Sequence, residues 1–466
     1  MSQILNILYV SIVVLLLFGA SIFVHEFGHY WVARKRGLKV EGFAIGFGPK
    51  IFSWVRDGIE YSVRWIPAGG FVKLPQMITS QQLEGSADSH IPPAAPFSKI
   101  LVAIAGPVMN VIFAFLVAGV IYFVGLPEPV NPSIIGYVEP GSAEAKLGIQ
   151  EGDRIVNVNG KPVNSWEQIR EVTIFALTNV LPVSIVHEGK TNTYDLSAKV
   201  SDIGGKFLNL DPKEHPVITA FTDKEAPAAK AGLKVDDEFV SFDGVPVVNQ
   251  PALIEMIQER AGKPTDCVVK RGDQKIKVTV TPEVNPDTKK GRIGVAMSLK
   301  FIYVLKKPGP TPIEQISTVW FRTIDTFNAL FHSKQTGVGV KDLSGPPGII
   351  AMLAAQVNTD FRLAMSFLVL LNINLAILNM LPIPVLDGGH ILMAIIEKIR
   401  RRPLSVRFVE YTTTAFAVLL ISFMLFVSFN DVTKRLPIFR AMFHHGAKIE
   451  QQAQPEPSQP ATTPAQ

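Results

Sequence analysis

Two imidazoles and a carboxylate stand close together at His25-Glu26-Phe27-Gly28-His29, inside a segment that otherwise reads as soluble in lipid. In a helix, residues four apart share a face, so ring nitrogens of His25 and His29 can close on one zinc ion, Zn2+. Glu26 stands one step around that helix, placed to meet a water beside the ion rather than the ion itself. His, Glu and His are costly to place in a bilayer and mark a functional site there. A single cysteine, Cys267, excludes a Cys-rich zinc site, so any further ligand must be a histidine or a carboxylate. The best place to look is Leu378-Asn379-Met380-Leu381-Pro382-Ile383-Pro384-Val385-Leu386-Asp387-Gly388-Gly389-His390. Pro382 and Pro384 should break a helix there, leaving irregular backbone of the kind tolerated only around a protein-lined or wet cavity, and Asp387 sits in that break. His390 is a candidate fourth metal neighbour, with a supporting or substrate-facing role the preferred reading.

The elements that must position these residues are membrane spans. The chain has 466 residues, 47% of them hydrophobic, and a formal net charge of +5. A mean hydropathy of +0.26 points to a mixture of spans and soluble domains. Four apolar runs, 4–33, 101–124, 363–396 and 412–429, are candidate transmembrane helices. The first lacks the basic leading end of a signal peptide, since no Lys or Arg precedes Arg34. Arg34-Lys35-Arg36 and the cluster from Lys398 to Arg402 each adjoin a span, a membrane-flank pattern and not a nucleic-acid footprint. The positive-inside rule places both clusters in the cytoplasm, which puts both termini and the 124–363 insert outside, and the metal motif towards the cytoplasmic side.

Between the first two spans, residues 51–65 form two β-like runs around Arg56-Asp57-Gly58, the signal of a tight hairpin turn. A Gly-rich stretch, Gly69-Gly70-Phe71, follows. In the external insert, Ala145-Lys146-Leu147-Gly148-Ile149, Gly152-Asp153-Arg154-Ile155-Val156, Asn159-Gly160 and Pro162 recur as Ala229-Lys230-Ala231-Gly232-Leu233, Asp236-Asp237-Glu238-Phe239-Val240, Asp243-Gly244 and Pro246, at a constant offset of 84 residues. Two copies of one domain therefore lie in tandem. Their pattern of turns and strands resembles the PDZ domain, whose groove takes a peptide as an added strand. The Gln-, Pro-, Ala- and Thr-rich stretch beyond Glu450 lacks the composition of a packed core.

His-Glu-x-x-His in the first span, Asn-x-x-Pro-x-Pro-x-x-Asp-Gly in the third, four spans and a tandem PDZ insert together resemble the site-2 protease family over nearly the whole chain. The resemblance implies a multi-span α-helical membrane protein with a cytoplasmic-side membrane-associated β-hairpin and two tandem PDZ domains. Divided accordingly, the chain comprises a first transmembrane helix with the zinc motif (1–36), a hairpin region (37–96), a second helix (97–125), PDZ domains at 126–215 and 216–305, an amphipathic connector (306–362), third and fourth helices (363–400 and 401–430) and a C-terminal tail (431–466). It further implies His25, His29 and Asp387 as zinc ligands and Glu26 as catalytic base. Asn379, Pro382 and Pro384 become substrate-binding positions, with Ile59, Tyr61 and Val63 offering a strand edge to the substrate. Ala105-Gly106-Pro107 with Asn110, and Gly345-Pro346, also resemble family landmarks. The implied activity is cleavage of single-span membrane proteins, of the anti-sigma factor type and already trimmed outside, in a bacterial inner membrane, with remnant signal peptides as further substrates. A membrane PDZ scaffold or chaperone without proteolytic activity is the competing class. A transporter is disfavoured by the absence of an inverted repeat, and a serine protease by the absence of a Gly-x-Ser-x-Gly elbow.

Overall fold

The computed structural model describes residues 2–77, 94–129, 131–200, 205–212, 214, 216–223, 225–272, 274–285, 290–299, 303–402, 404–435 and 449–450. Among these, four helices are long and apolar enough to cross a membrane. The first, Ser2–Lys35, is apolar around most of its circumference, as a lipid-facing helix must be, and ends on Arg34 and Lys35, whose charges favour a helix C-terminus. The second, Pro96–Val124, opens on a proline, where the missing N–H costs nothing, and stops at Gly125 in a positive-φ conformation. The third, Phe361–Asn379, is shorter than its apolar sequence suggests, because the prolines after it end the helix before a separate one, Asp387–Arg400, begins. The fourth is Val406–Asn430.

The second span is the hub of this assembly, packing against the first, the third and the Asp387–Arg400 helix. It crosses the first span where a Cβ on Gly28 would lie 2.4 Å from the Ala105 carbonyl oxygen, so only glycine allows that approach. Buried polar side chains add direction to apolar packing. Asn372 on the third span donates to Ser21 Oγ on the first at 3.0 Å, and Gln315 donates to the Ala118 carbonyl at 3.1 Å from the Pro312–Phe331 helix. Asp431 ends the fourth span by accepting from Gly345 N at 2.7 Å and Gly348 N at 3.0 Å, capping the Pro346–Thr359 helix from a distant part of the chain.

Between the first and second spans lie strands β1 (Gly42–Arg56) and β2 (Ile59–Lys73). They are joined through Asp57 and Gly58, both at positive φ, 53° and 75°, the combination a type I′ turn demands. Each strand bends so that its two halves lie in different places. Residues 59–63 pair with 52–56 on one side, 60–63 pair with 42–45 on the other, and 42–45 pair in turn with 70–73. The result is a small sheet whose outer segments are 50–56 and 70–73.

The repeat in the insert folds as two β-rich units. In the first, strands Arg154–Val158, Val180–His187 and Lys190–Ser197 cover the Trp166–Ile174 helix, with Ile155, Trp166, Ile169, Leu181 and Ile185 in the core. In the second, Pro216–Phe221, Glu238–Phe242, Thr265–Arg271, Gln274–Val280 and Val295–Leu299 pair in one sheet around Ile218, Phe239, Phe242 and Leu253. The repeat extends to side-chain chemistry. Asp153 accepts from Gln150 N at 2.9 Å and pairs with His187, and Asp237 accepts from Lys234 N at 2.8 Å and pairs with Arg271. Each acid thus closes a loop and fixes the end of a strand. The first unit is tied to the Pro312–Phe331 helix by a two-pronged pair, Arg322 to Glu171 at 2.9 and 2.8 Å.

Cys267 is fully buried in the second unit, and burial, aided by Asp237 and Asp266, pushes its thiol up to about 11. Because the thiolate is the reactive form, the folded protein is expected to resist a soluble maleimide at about pH 8 and to label only in denaturant. Fast labelling of the native chain would show that this core opens.

Candidate metal centre

The first span places His25 and His29 on one face, one turn apart, and the helix Asp387–Arg400 brings its first residue to them. His25 Nε2 and His29 Nε2 lie 3.2 Å apart, His25 Nε2 and Asp387 Oδ2 3.4 Å, and His29 Nε2 and Asp387 Oδ1 3.4 Å. Ligands about 2.0–2.1 Å from a tetrahedral zinc stand about 3.3 Å from one another, so the triangle already has the edges of such a coordination shell. Two further observations fit a cation at its centre. Asp387 Oδ2 is buried without a hydrogen-bond partner among the described residues. His29 Nδ1 lies 2.7 Å from the Val102 carbonyl, which can only accept, so Nδ1 carries the proton and Nε2 turns a lone pair inward. No other group of His, Cys, Asp and Glu among the described residues converges in this way.

Local sequence explains how Asp387 arrives there. Pro382 and Pro384 lie in the turn after Asn379, and the chain then folds back so tightly that a Cβ on Gly388 would sit 2.3 Å from the carbonyl oxygens of Met380 and Leu381. The two glycines after Asp387 permit that close return. A buried ion pair, Lys99 Nζ to Glu397 Oε2 at 2.8 Å, clamps the same helix to the second span. Asn379, at the end of the third span, brings its Nδ2 within 3.4 Å of His25 Nε2. His390 lies outside the triangle and lines, with Lys99 and Glu397, a cavity of about 30 Å³.

Glu26 is buried on the side of the first span that meets the sheet, where a Cβ on Gly70 would fall 2.8 Å from Glu26 Cγ. This arrangement corrects one expectation. Tyr61 and Val63 offer no free strand edge, because 60–63 is paired on both sides, and Ile59, paired with Arg56, is buried. Ile59 is buried in a cluster with Ala33 and Leu38, and the Tyr61 hydroxyl is hydrogen-bonded to that of Tyr30 at 3.0 Å. The segment that reaches Glu26 and lacks a second strand partner among the described residues is 70–73. The cause is the bend in each strand, which turns one hairpin into four short segments. Sequence reasoning also passed over the Val102 carbonyl, which has no side-chain signature, and the Lys99–Glu397 clamp, whose partners lie 298 positions apart.

A multi-pass membrane protein with this donor set is a metalloprotease in outline, and the comparisons agree. Peptidase family M50, the site-2 proteases, matches residues 13–423, and the chain belongs to that family. It is a zinc metalloprotease. The chain is similar to the regulator of sigma-E protease RseP of Escherichia coli strain K12, at 29% identity over 89% of this chain and 96% of that protein. The regulator of sigma E protease of Salmonella typhi is 29% identical over 92% of this chain and 100% of its own length. A Neisseria meningitidis protein that carries the name zinc metalloprotease is 30% identical over 88% of this chain and 96% of its own.

A Cβ on Gly106 would fall 2.3 Å from His29 Nε2 and 2.8 Å from His25 Cε1. Gly106→Ala is therefore expected to displace both imidazoles and lower zinc content in metal analysis of purified protein, while helix content by circular dichroism is kept. Full zinc occupancy in that variant would mean that the histidines are not fixed against the second span.

Proposed function

We propose that the chain is an intramembrane endopeptidase that hydrolyses peptide bonds within the membrane-spanning segment of single-span proteins. The observation that carries this reading is the convergence of His25, His29 and Asp387 inside a bundle of lipid-facing helices, with Glu26 beside them. A peptide bond in hydrocarbon is shielded from water, so a protease acting there must provide a polar pocket for that water. His25, His29 and Asp387 would hold the zinc. Zinc, when bound, supplies the positive charge that makes water a nucleophile near neutral pH and polarises the scissile carbonyl. Glu26 takes the proton from the attacking water and returns it to the leaving amine. The Asn379 amide, beside His25, steadies the substrate at the reaction centre, and Pro382 and Pro384 hold open the irregular backbone that lines it.

A substrate helix must unwind before it can be cut, and its extended backbone then needs partners. The 70–73 segment can supply them by strand addition, with Gly70 keeping the approach to Glu26 clear. In this reading the protein lies in a bacterial inner membrane. The metal centre and sheet face the cytoplasmic side, and the two β-rich units are periplasmic PDZ domains at 126–215 and 216–305. They stand over the spans as a size filter, which favours substrates already trimmed outside. Relatives named as regulators of sigma-E protease suggest an anti-sigma factor as one substrate, and remnant signal peptides are another of the same shape.

The test uses purified protein and a single-span substrate. Glu26→Gln should keep its zinc and lose about 10²–10⁴-fold in cleavage rate, the usual size of a general-base contribution. Asp387→Ala should lose zinc and activity together. A proline at whichever of Phe71 and Val72 turns its N–H outward should lower cleavage with zinc unchanged, by removing a donor from the free edge. Wild-type cleavage by Glu26→Gln would overturn the assignment of the base, and wild-type cleavage by both proline variants would overturn strand addition.

A further inference from the structure

The two metal-facing histidines differ in how their outer nitrogens are held. His29 Nδ1 donates to the Val102 carbonyl at 2.7 Å. His25 Nδ1 lies 3.2 Å from Asn110 Nδ2, and Asn110 is completely buried on the second span. As placed, the amide turns an N–H towards His25, and its own oxygen, Oδ1, is buried with no hydrogen-bond partner among the described residues. That orientation suits an imidazole that accepts at Nδ1 and therefore carries its proton on Nε2. His25 Nε2, however, is the atom that faces His29 and Asp387, and a protonated Nε2 cannot hold a metal.

The conflict has a simple resolution. The two ends of an amide are nearly the same size, and a half-turn of the Asn110 side chain exchanges them without disturbing the packing. Among the described residues Oδ1 has no hydrogen-bond partner where it now lies, so the turn only exchanges the one contact the amide makes, Nδ2 to His25 Nδ1, for one through Oδ1. After it, Oδ1 accepts from His25 Nδ1–H and the lone pair of Nε2 points at the ion. We infer that Asn110 is a positioning residue for the metal centre, its amide oxygen fixing both the tautomer and the ring orientation of His25. The second span then sets the outer side of both histidines, through Val102 for His29 and Asn110 for His25, about two helical turns apart. Its role rests on the reading of His25 as a zinc ligand, and the test separates the two.

Zinc affinity of the full-length protein in detergent micelles would be measured by competition with a chelator for four proteins: wild type, His25→Ala, Asn110→Leu and Asn110→Asp. Leucine matches asparagine in size and lacks an acceptor, whereas aspartate keeps one. The expected result is a loss of zinc in His25→Ala and a 10- to 100-fold weaker affinity in Asn110→Leu, the range typical for removal of such an outer partner. Asn110→Asp should restore affinity close to wild type, a rescue that a purely space-filling role would not give. Wild-type affinity in Asn110→Leu, with zinc lost in His25→Ala, would overturn the inference while leaving the ligand set standing. Equal weakening in Asn110→Leu and Asn110→Asp would also overturn it, since it would mean that the N–H end makes the contact. Retention of zinc by His25→Ala would overturn both.

Discussion

In hydrocarbon a polar atom finds its partner in the protein or not at all, and the architecture of this chain follows from meeting that condition around the converging side chains of His25, His29 and Asp387. The second span does most of the work. It has lost side chains where it must come close, at Gly106 beside both imidazoles, and it offers polar groups where they are needed: the Val102 carbonyl, Asn110, and Lys99 paired with Glu397. The last of these holds the helix that begins with Asp387, so histidines from one end of the sequence and a carboxylate from near the other are registered against a common element. A buried ion pair contributes little net stability, yet breaking it by removing one partner is costly, which gives the Lys99–Glu397 clamp its value as a device of register.

Under the proposed function the same condition accounts for the sheet beside the candidate metal centre. A helix cannot be cut while its backbone is coiled, and an unwound segment in an apolar setting must exchange its internal hydrogen bonds for others. The bent hairpin presents the 70–73 segment next to Glu26 and keeps the other outer segment, 50–56, elsewhere. The hairpin's aromatic residues Phe52, Trp54 and Trp65 are exposed.

Much of this was legible in the sequence, for identifiable reasons. Helical spacing made His25 and His29 neighbours, the absence of other cysteines restricted the third ligand, and Pro382 and Pro384 marked the break that frees Asp387. The tandem repeat was visible because its turns need specific residues: Asn159-Gly160 and Asp243-Gly244 both take the positive φ angles of a type I′ turn. Three features left no local trace. Alternating aromatic residues around Asp57-Gly58 announce a hairpin, but the irregular register that folds each strand in two depends on Gly46 and Gly48 at positive φ and on packing against the first span. That is why Tyr61 and Val63 read as an edge and lie in an inner segment. A backbone carbonyl such as Val102 carries no residue signal. The pairing of Lys99 with Glu397 is a fact of tertiary structure alone.

The central claim is that two imidazoles and one carboxylate, drawn together by the second span, hold a single zinc. X-ray absorption at the zinc edge of the purified protein addresses it directly. The account predicts one zinc per chain, with about four nitrogen or oxygen ligands near 2.0–2.1 Å, two of them imidazole, and no sulfur. A spectrum with sulfur in the shell, or with fewer or more than two imidazoles, would contradict it.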